Sequence, residues 1–415
     1  MQLRFDFDTD INEAAAQAAP PDKGEKGVTL EDLFQAYYDC RKHKRNTANA
    51  LKFELNYEEN LIQLWQEINE GTYRVGRSVA FIVDKPVKRE IFAADFRDRI
   101  VHHLLINKLN HLFEKDFIYD SYSCRKGKGT LFGVKRLYRF IRDCSANYTR
   151  DCYILKLDLQ GFFMSIDRSL LSDMLREFIG SRYDAPDKEL LLRLTELIVM
   201  NDCTEGCVTK SKPESWTGLP VNKSLLFQRR RGITSKGLPI GNLTSQIYAN
   251  YYLSAFDHYM KSELKVRYYG RYVDDFFVVH NDKQYLMGLI PEIERFLKER
   301  LGLTLHPNKR SLHHYQQGIQ FVGAYLLPNR IYIARRTKGN FYARIHGINQ
   351  RVRENKERLS ESELQHFVAS VNSYLGFMRH YKTYKLRKKM LYSLAARFDR
   401  YAHPAKAYTK VARGS

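Results

Sequence analysis

Two adjacent acids, Asp274 and Asp275, stand between two apolar, aromatic-rich runs, and this pattern limits the local structure more than any other in the chain. The runs cover residues 268–273 and 276–279, and only the two acids separate them. The pattern predicts an antiparallel hairpin with both carboxylates at its turn. A solvated surface turn is one interpretation. Because the turn contains none of the Gly, Asn or Pro residues that ordinary turns use, acids held rigidly for metal binding are the other.

A third acid, Asp158, ends a further apolar run over residues 153–157, which predicts a strand. Three carboxylates brought close together would repel one another. Two Mg²⁺ ions would remove that repulsion, because Mg²⁺ prefers hard oxygen ligands. Two divalent ions about 4 Å apart are also what phosphoryl transfer uses to clamp the attacking and leaving oxygens. We therefore expect Asp158, Asp274 and Asp275 to converge on a two-metal site.

The charge of the chain indicates a polyanionic partner. Its 68 Lys and Arg residues exceed its 47 Asp and Glu residues, which gives a formal net charge of +21. Such an excess attracts nucleic acid or an anionic membrane surface. The 28 Tyr and 24 Phe residues favour nucleic acid, because rings among Lys and Arg suit base stacking, although many of these rings fill the core. No apolar run is long enough to span a membrane, so no membrane partner is expected.

The N-terminus and the cysteines indicate an intracellular protein. The first twenty or so residues are acidic and lack the basic and then apolar order of a signal peptide. Six scattered cysteines in a long chain fit a reducing compartment better than a disulfide framework. We therefore expect a cytoplasmic protein.

Strands are predicted mainly in the middle of the chain and helices at both ends, which indicates the α+β class with a basic, helical C-terminal domain. Residues 1–27 show no apolar period and predict a tail, and a second tail is predicted over residues 404–415. Between the tails, the pattern predicts helices over residues 48–69, 98–113, 168–200 and 336–400, a helix after Gly241, strands within 73–92, and a long polar loop over 201–235.

Seven sequence blocks occur in the order in which reverse transcriptases carry them, and the chain resembles that family over about residues 50–330. The resemblance implies a right-hand polymerase fold, with fingers and palm over residues 28–330 and a helical, basic thumb over 331–403. It implies an RNA-directed DNA polymerase, a nucleotidyltransferase that uses two Mg²⁺ ions, for which Mn²⁺ can substitute. The blocks are Arg89 to Arg99, Ser123 to Gly127, Leu157 to Asp167, Gly237 to Asn242, Tyr272 to Asp275, Leu303 to Lys309, and Phe321 to Gly323.

The resemblance also assigns catalytic roles. Asp158, Asp274 and Asp275 hold the metal ions, and the backbone of Leu159 lies among the metal ligands. Lys309 matches a lysine near the leaving pyrophosphate and is a candidate general acid, with a surface lysine as the alternative.

For the incoming deoxynucleotide, the resemblance implies a steric gate at Phe163, where a bulky ring collides with a ribose 2′-OH. Alternation along an extended segment predicts that one of the rings of Phe162 and Phe163 packs inward while the other faces the site. Arg89 and Arg97 match basic positions that hold the triphosphate, with pairing to Asp95 or Asp98 as the alternative for Arg97. The nucleotide-binding residues are expected to be Arg89, Arg97, Gly161, Phe162, Phe163, Ile240 and Gly241, and the primer- and template-binding residues Tyr272, Phe321, Val322 and Gly323.

The fourth block departs from the commonest pattern of the family. Most members carry Gln-Gly-x-x-x-Ser-Pro there, whereas this chain has Ile240-Gly241-Asn242-Leu243-Thr244-Ser245-Gln246. Ile240 stands where relatives place a glutamine against the nascent base pair, unless it only packs inside the fold. Gly241 is expected to let the backbone approach the nucleotide closely.

This departure resembles the reverse transcriptases of diversity-generating retroelements, as do residues 219–225 and 373–376 with His380. The resemblance implies a bacterial or phage-encoded enzyme that copies a template-repeat RNA into adenine-mutagenised cDNA. The implied partners are template RNA, cDNA, dNTPs and a small basic accessory protein oligomer. A phage-defence or retron-like reverse transcriptase is one alternative. An inactive RNA-binding scaffold is another, and the presence of all three acids argues against it.

Overall fold

The protein is described from a computed structural model, in which helices surround small, mainly antiparallel sheets. This is the α+β class expected from the sequence. Within the described residues, no helix is both long and apolar enough to cross a membrane. Of the predicted tail over residues 1–27, only Gly27 is described. The structure describes residues 27–42, 47–84, 87–354, 360–394 and 402–413.

The N-terminal region is helical, but the single helix predicted over residues 48–69 is wrong. This segment forms two helices. Asn56 is the N-cap of the second helix, and the Asn60 side chain donates a hydrogen bond to the Phe53 carbonyl at the end of the first. The second helix ends at Gly71, whose φ of 77° is the left-handed conformation of a C-terminal cap. The elements are α1 (Leu30–Arg41), α2 (Ala48–Glu54), α3 (Tyr57–Glu70), β1 (Val79–Val83), β2 (Arg89–Ala93), α4 (Phe96–Asp116) and α5 (Thr130–Cys144).

The middle of the chain builds the central sheet and the helices that cover it. The helix predicted over 168–200 is two helices, because Pro186 favours a break before it. The polar loop predicted over 201–235 contains a short strand and a helix. The elements are β3 (Tyr153–Asp158), α6 (Phe162–Ser165), α7 (Arg168–Arg182), α8 (Lys188–Met200), β4 (Val208–Thr209), α9 (Leu225–Arg230), α10 (Leu243–Tyr252), α11 (Ser254–His258), β5 (Tyr268–Tyr272), β6 (Asp275–His280), α12 (Lys283–Leu301) and β7 (Ser311–His314).

The central sheet has the strand order β5-β6-β3-β7, and all of its neighbours are antiparallel. Both faces of the sheet are buried. In β3, Leu155 and Leu157 join one hydrophobic core, while Ile154 on the other face joins the second. A strand that is buried on both faces reads as a continuous apolar run, which is why this region was recognisable in the sequence.

The C-terminal region is mainly helical, as predicted, but the tail predicted over residues 404–415 is wrong. Residues 402–413 contain a two-stranded hairpin, and Asn372 exchanges two hydrogen bonds with the buried Val411. The predicted domain boundary at residue 331 falls inside a strand that pairs with its neighbour. The elements are β8 (Ile319–Phe321), β9 (Ala324–Leu327), β10 (Arg330–Ile333), α13 (Arg335–Glu354), α14 (Glu361–Met378), α15 (Tyr384–Tyr392), β11 (Ala402–Pro404) and β12 (Val411–Arg413).

Candidate active site

The three predicted metal-binding acids lie at one end of the central sheet. The register of β3 and β6 sets Asp158, the last residue of β3, directly opposite Asp275, the first residue of β6. Asp274 precedes Asp275 in the turn that joins β5 to β6. Cross-strand partners in an antiparallel sheet have Cβ atoms about 4.5–5.5 Å apart. The hairpin and the convergence that were expected from the sequence are therefore both present.

The turn of this hairpin has an unfavourable backbone conformation at Val273. Its φ of 55° lies in the left-handed region, which is strained for a β-branched residue. Arg271 is fully buried and donates from Nη1 to the Val273 carbonyl over 2.9 Å. The same guanidinium pairs with the fully buried Asp257, which accepts from Nε over 2.7 Å. A buried ion pair therefore holds the backbone that presents Asp274.

Two lysines contact the carboxylates. Lys309 Nζ lies 2.9 Å from each oxygen of Asp158, and Lys156 Nζ lies 3.1 Å from Oδ1 of Asp275. Burial, followed by repulsion from Asp158 and Asp275, raises the pKa of Asp274 to about 7. Burial also raises the pKa of Asp275, and Lys156 opposes this shift. The cluster therefore favours additional positive charge.

The chemistry of the donors suits a hard divalent cation. All of the donor side chains are carboxylates, and Oδ1 of Asp275 is buried with Lys156 Nζ 3.1 Å away. Within the described residues, no group of three or more His, Cys, Asp or Glu side chains is already arranged to hold an ion. Asp158 instead contacts Lys309, and Leu159 is buried beside it. A cation bound by all three acids would therefore share the Asp158 carboxylate with Lys309 or displace this lysine.

The candidate steric gate follows β3 in one helical turn, α6. Gly161 has a φ of 58°, and a Cβ at this position would lie 2.5 Å from the backbone oxygen of Asn222. The ring of Phe162 is buried in the core, whereas Phe163 is partly exposed, with the two ring centroids 5.4 Å apart. The expected division into an inward and an outward ring is present. It arises from a helical turn after a left-handed glycine, not from the extended segment that we expected.

Ile240 and Gly241 pack against β2. The carbonyl of Ile240 accepts a hydrogen bond from the Phe92 N–H over 3.0 Å, and its side chain packs partly exposed against a small apolar cluster. Gly241 has a φ of 131°, and a Cβ at this position would lie 2.9 Å from the Phe92 carbonyl oxygen. Gly241 therefore permits a close approach to β2, and its predicted approach to a nucleotide stays a prediction.

Arg89 and Glu90 begin β2 and have opposite environments. Arg89 is exposed, whereas Glu90 is fully buried. The Glu90 carboxylate accepts hydrogen bonds from Trp216 Nε1 over 2.8 Å, Ser224 Oγ over 2.7 Å and the Leu225 N–H over 2.6 Å. These contacts tie the segment that was predicted as a loop to the strand that carries Arg89.

Arg97 does not have the surroundings that were predicted for it. Its guanidinium pairs with Glu67 and lies 5.2 Å from the centre of the Tyr73 ring. Glu67 was not among the expected partners. Asp95 instead caps α4 by accepting from the Arg97 N–H, and Asp98 accepts from the Tyr73 hydroxyl. Arg97 therefore pairs with neither of the expected acids, and its contact with the triphosphate stays a prediction.

The predicted primer-binding segment forms the turn between β8 and β9. Val322 and Gly323 have φ values of 35° and 89°, so this two-residue turn has both central residues in the left-handed region. Phe321 is fully buried, with its ring centroid 5.0 Å from that of Phe277. The ring of Phe321 therefore belongs to the core, and contact of this segment with the primer stays a prediction. Tyr272 is partly exposed and pairs with Asp275 beside the acidic turn.

The sequence analysis overlooked Arg271 and Lys156. Lys156 precedes Asp158 by two residues on one strand, so both side chains lie on the same face of the sheet, and this spacing could have revealed it. Arg271 is a lone cation within an apolar run, and nothing in its local sequence identifies Asp257 as its partner.

Comparison with known families gives one match over most of the central region. A family model described as reverse transcriptase (RNA-dependent DNA polymerase) matches residues 87–326. Those residues contain β2 to β9, and with them the three acids, both lysines and the gate.

Two curated proteins are similar to this chain at low identity. The putative COX1/OXI3 intron 2 protein of Saccharomyces cerevisiae is 23% identical over 268 residues, which are 57% of this chain and 30% of that protein. Protein YkfC of Escherichia coli is 23% identical over 266 residues, which are 56% of this chain and 62% of that protein. The matched part is therefore less than two thirds of either relative.

Among solved structures, two telomerases resemble the fold distantly. A telomerase from Candida albicans in complex with a fragment of telomeric RNA has a TM-score of 0.41 at 13% identity, and covers 83% of this chain and 62% of its own. An apo telomerase from Candida tropicalis has a TM-score of 0.47 at 12% identity, and covers 81% of this chain and 61% of its own. TM-scores this low carry no argument about this chain.

Proposed function

This chain belongs to the reverse transcriptase (RNA-dependent DNA polymerase) family, and on that premise we propose that it synthesises DNA on an RNA template. It has the right-hand polymerase fold of that family. The observation that carries the proposal is the register of β3 and β6, which brings Asp158 opposite Asp275 with Asp274 beside them in the turn. Three carboxylates at one point suit the phosphoryl transfer that extends a DNA strand.

Members of the family use divalent metals such as Mg²⁺, and the acids present fit such ions by their oxygen donors and their excess negative charge. Asp158, Asp274 and Asp275 would hold two ions, with Leu159 contributing its backbone oxygen. Bound there, the ions would neutralise charge on the attacking and leaving oxygens. Mn²⁺ would replace Mg²⁺, since it also accepts oxygen ligands.

The remaining side chains supply selection and proton transfer in this proposal. Phe163, partly exposed two residues after Gly161, would exclude a ribose 2′-OH. Arg89, exposed at the start of β2, would contact the triphosphate. Lys309 Nζ, whose side chain is 54% exposed beside Asp158, would donate a proton to the leaving pyrophosphate.

We propose further that the enzyme serves diversity-generating retrohoming, copying a template-repeat RNA into cDNA with errors at adenines. Support comes from the fourth block, where Ile240 replaces the usual glutamine, and from residues 219–225, which include the Asn222 that packs on Gly161. Template RNA, cDNA, dNTPs and a small basic accessory oligomer would be its partners, and the cytoplasm its compartment.

The replacement of Ile240 by glutamine tests this finer proposal. Glutamine could donate a hydrogen bond to the nascent base pair, and such a bond contributes about 0.5–1.5 kcal/mol net. Since roughly 1.4 kcal/mol is tenfold in selectivity, Ile240→Gln should lower misincorporation at template adenines by up to about tenfold while DNA synthesis continues. Sequencing cDNA made on one RNA template by both enzymes measures this change.

Ile240→Leu is the matched control, because it keeps an apolar side chain against the same cluster and should leave the error rate unchanged. Equal adenine error rates in the wild type and Ile240→Gln would remove Ile240 from the fidelity argument. A wild-type enzyme that copies adenines as accurately as the other bases would favour the phage-defence or retron-like alternative.

A further inference from the structure

Three tyrosines and a lysine form one surface at the C-terminal end of the described chain. Tyr384 is 50% exposed and Tyr392 is 70% exposed, and both belong to α15. Lys388 lies between them at four-residue spacing, which places all three on neighbouring turns of one side of the helix. Tyr408 completes the surface from the 3₁₀ turn before β12. We call Tyr384, Lys388, Tyr392 and Tyr408 the tyrosine surface.

The members of the tyrosine surface contact one another around Tyr408. The ring centroid of Tyr408 lies 5.5 Å from that of Tyr384 and 6.0 Å from that of Tyr392, and the hydroxyls of Tyr392 and Tyr408 are 3.2 Å apart. Lys388 Nζ lies 5.7 Å from the centre of the Tyr392 ring and 6.0 Å from that of Tyr408. The rings and the cation therefore form one continuous platform, although two of the rings remain at least half exposed.

The backbone that carries Tyr408 is held by a buried arginine. Ala407 and Tyr408 have φ values of 60° and 53°, a left-handed conformation that costs energy in residues other than glycine. Arg387 is buried and donates from Nη1 to the carbonyls of both residues, over 2.8 Å and 2.7 Å. A strained turn fixed in this way gives the Tyr408 ring a defined place, as a preformed binding surface requires.

The two described stretches that carry the tyrosine surface have charge of a single sign. Residues 379–394 and 402–413 contain nine Lys and Arg residues and no Asp or Glu. Lys382, Lys385 and Lys389 are exposed on or next to α15. The surface therefore complements a polyanion rather than an acidic and basic mixture such as a typical protein partner presents.

We propose that the tyrosine surface binds single-stranded RNA, with bases stacked on the rings of Tyr384 and Tyr392 and phosphates paired with the surrounding lysines. The proposal rests on the function above, in which the single strand is the part of the template not paired with cDNA. Exposed rings next to cations are the usual means of holding unpaired nucleotides, because each base offers a face for stacking. In a duplex the base faces are stacked inside the helix and are not available to the tyrosine rings. A duplex would therefore contact this surface through its phosphates alone, and its binding would not depend on the rings.

Paired substitutions in the full chain test the proposal. Tyr384→Leu with Tyr392→Leu removes both aromatic faces while retaining apolar, exposed side chains. Stacking is worth about tenfold in affinity per base, so this double variant should bind a fluorescent oligoadenylate roughly a hundredfold more weakly. Its affinity for a blunt RNA–DNA hybrid of the same length should be unchanged. If the double variant fails to fold, Tyr392→Leu alone should lose about tenfold.

The matched control is Tyr384→Phe with Tyr392→Phe, which keeps the rings and should bind oligoadenylate like the wild type. The proposal would be overturned if the leucine variant bound oligoadenylate as tightly as the wild type, which is also the result expected if the surface binds a protein. It would equally be overturned if the leucine variant lost as much affinity for the hybrid, or if the phenylalanine variant lost affinity for oligoadenylate. Extension of a primer on an RNA template with only a short single-stranded overhang reports the polymerase separately. Its absence would contradict the proposed function but leave the binding result to stand.

Discussion

At the scale of single residues, two lysines stand where the proposed chemistry needs cations. Lys309 contacts both oxygens of Asp158, and Lys156 contacts Asp275, while Asp274 has no lysine at contact distance among the ion pairs of the described residues. Burial, followed by repulsion from Asp158 and Asp275, raises the pKa of Asp274 to about 7. Asp274, whose negative charge is least balanced by a neighbouring lysine, is therefore stabilised most by a bound metal ion.

The raised pKa of Asp274 predicts how the metal-free protein responds to pH. The folded state binds the Asp274 proton more tightly than the unfolded chain, in which the pKa of this group is about 3.8. The stability that this proton contributes is therefore complete below about pH 4 and is lost as pH rises through about 7. In buffer with EDTA, Asp274→Asn should match the wild type near pH 4. Above pH 7 the variant should be more stable than the wild type by about 2 kcal/mol. This difference is smaller than the full pKa shift implies, because the Asp274 carboxylate keeps contact with water. Urea denaturation across this pH range measures the difference, and a difference independent of pH would contradict the charge assignment.

Phe162 and Phe163 give a matched pair for the gate. Phe163→Ala should admit ribonucleotides, because its partly exposed ring is the candidate obstacle to the 2′-OH. Phe162→Ala should instead lower the free energy of unfolding by about 3–5 kcal/mol, since its ring is buried in the core, and should leave sugar selection unchanged. Primer extension with ribonucleotides and chemical denaturation measure the two effects. Unchanged discrimination in Phe163→Ala would place the gate elsewhere.

At the scale of elements, the turn of the β5–β6 hairpin depends on the buried guanidinium of Arg271. The guanidinium of Arg271 supports the Val273 carbonyl in a left-handed turn and balances the charge of Asp257. These two roles of Arg271 can be tested separately, because the hydrogen bond to the Val273 carbonyl supports the backbone, whereas the pairing with Asp257 balances charge.

Arg271→Met should therefore cost about 3–5 kcal/mol, since it leaves Asp257 buried without its partner. Adding Asp257→Asn should recover much of that stability, because the remaining carbonyl can still accept from the Tyr269 hydroxyl. DNA synthesis should remain impaired in the double variant, because the turn that presents Asp274 still lacks its donor. Recovery of both stability and full activity would mean that Arg271 serves charge balance alone.

The elements also show what the sequence could and could not predict. The strand that ends in Asp158 and the hairpin at Asp274 were predictable, because runs buried on both faces are apolar throughout. The break at Asn56 and the hairpin at Val411 were missed, because both depend on side-chain contacts of Asn60 and Asn372 that local periodicity does not encode. The burial of Phe321 was not predictable for a related reason, since it depends on distant packing against Phe277.

At the scale of the whole molecule, the positive charge is not uniformly available for RNA. Arg351 and Arg387 belong to the basic region predicted as the thumb. Arg351 pairs with Glu363 over 2.7 Å, and Arg387 is buried against backbone carbonyls. Both guanidinium groups therefore already have partners within the protein, whereas Lys382 and Lys385 remain exposed. Net charge predicted the class of partner but could not identify the residues that contact it.

The central claim, an RNA-directed DNA polymerase built on three acids, is tested most directly by primer extension on an RNA template with dNTPs and Mg²⁺. The wild-type chain should extend the primer, and Asp274→Asn should abolish extension while retaining the fold and RNA binding, because its loss removes a metal-holding charge. Asp173→Asn is the control, since this aspartate side chain is 69% exposed and pairs only with Arg176 among the ion pairs described. Full extension by a folded Asp274→Asn protein would contradict the assignment.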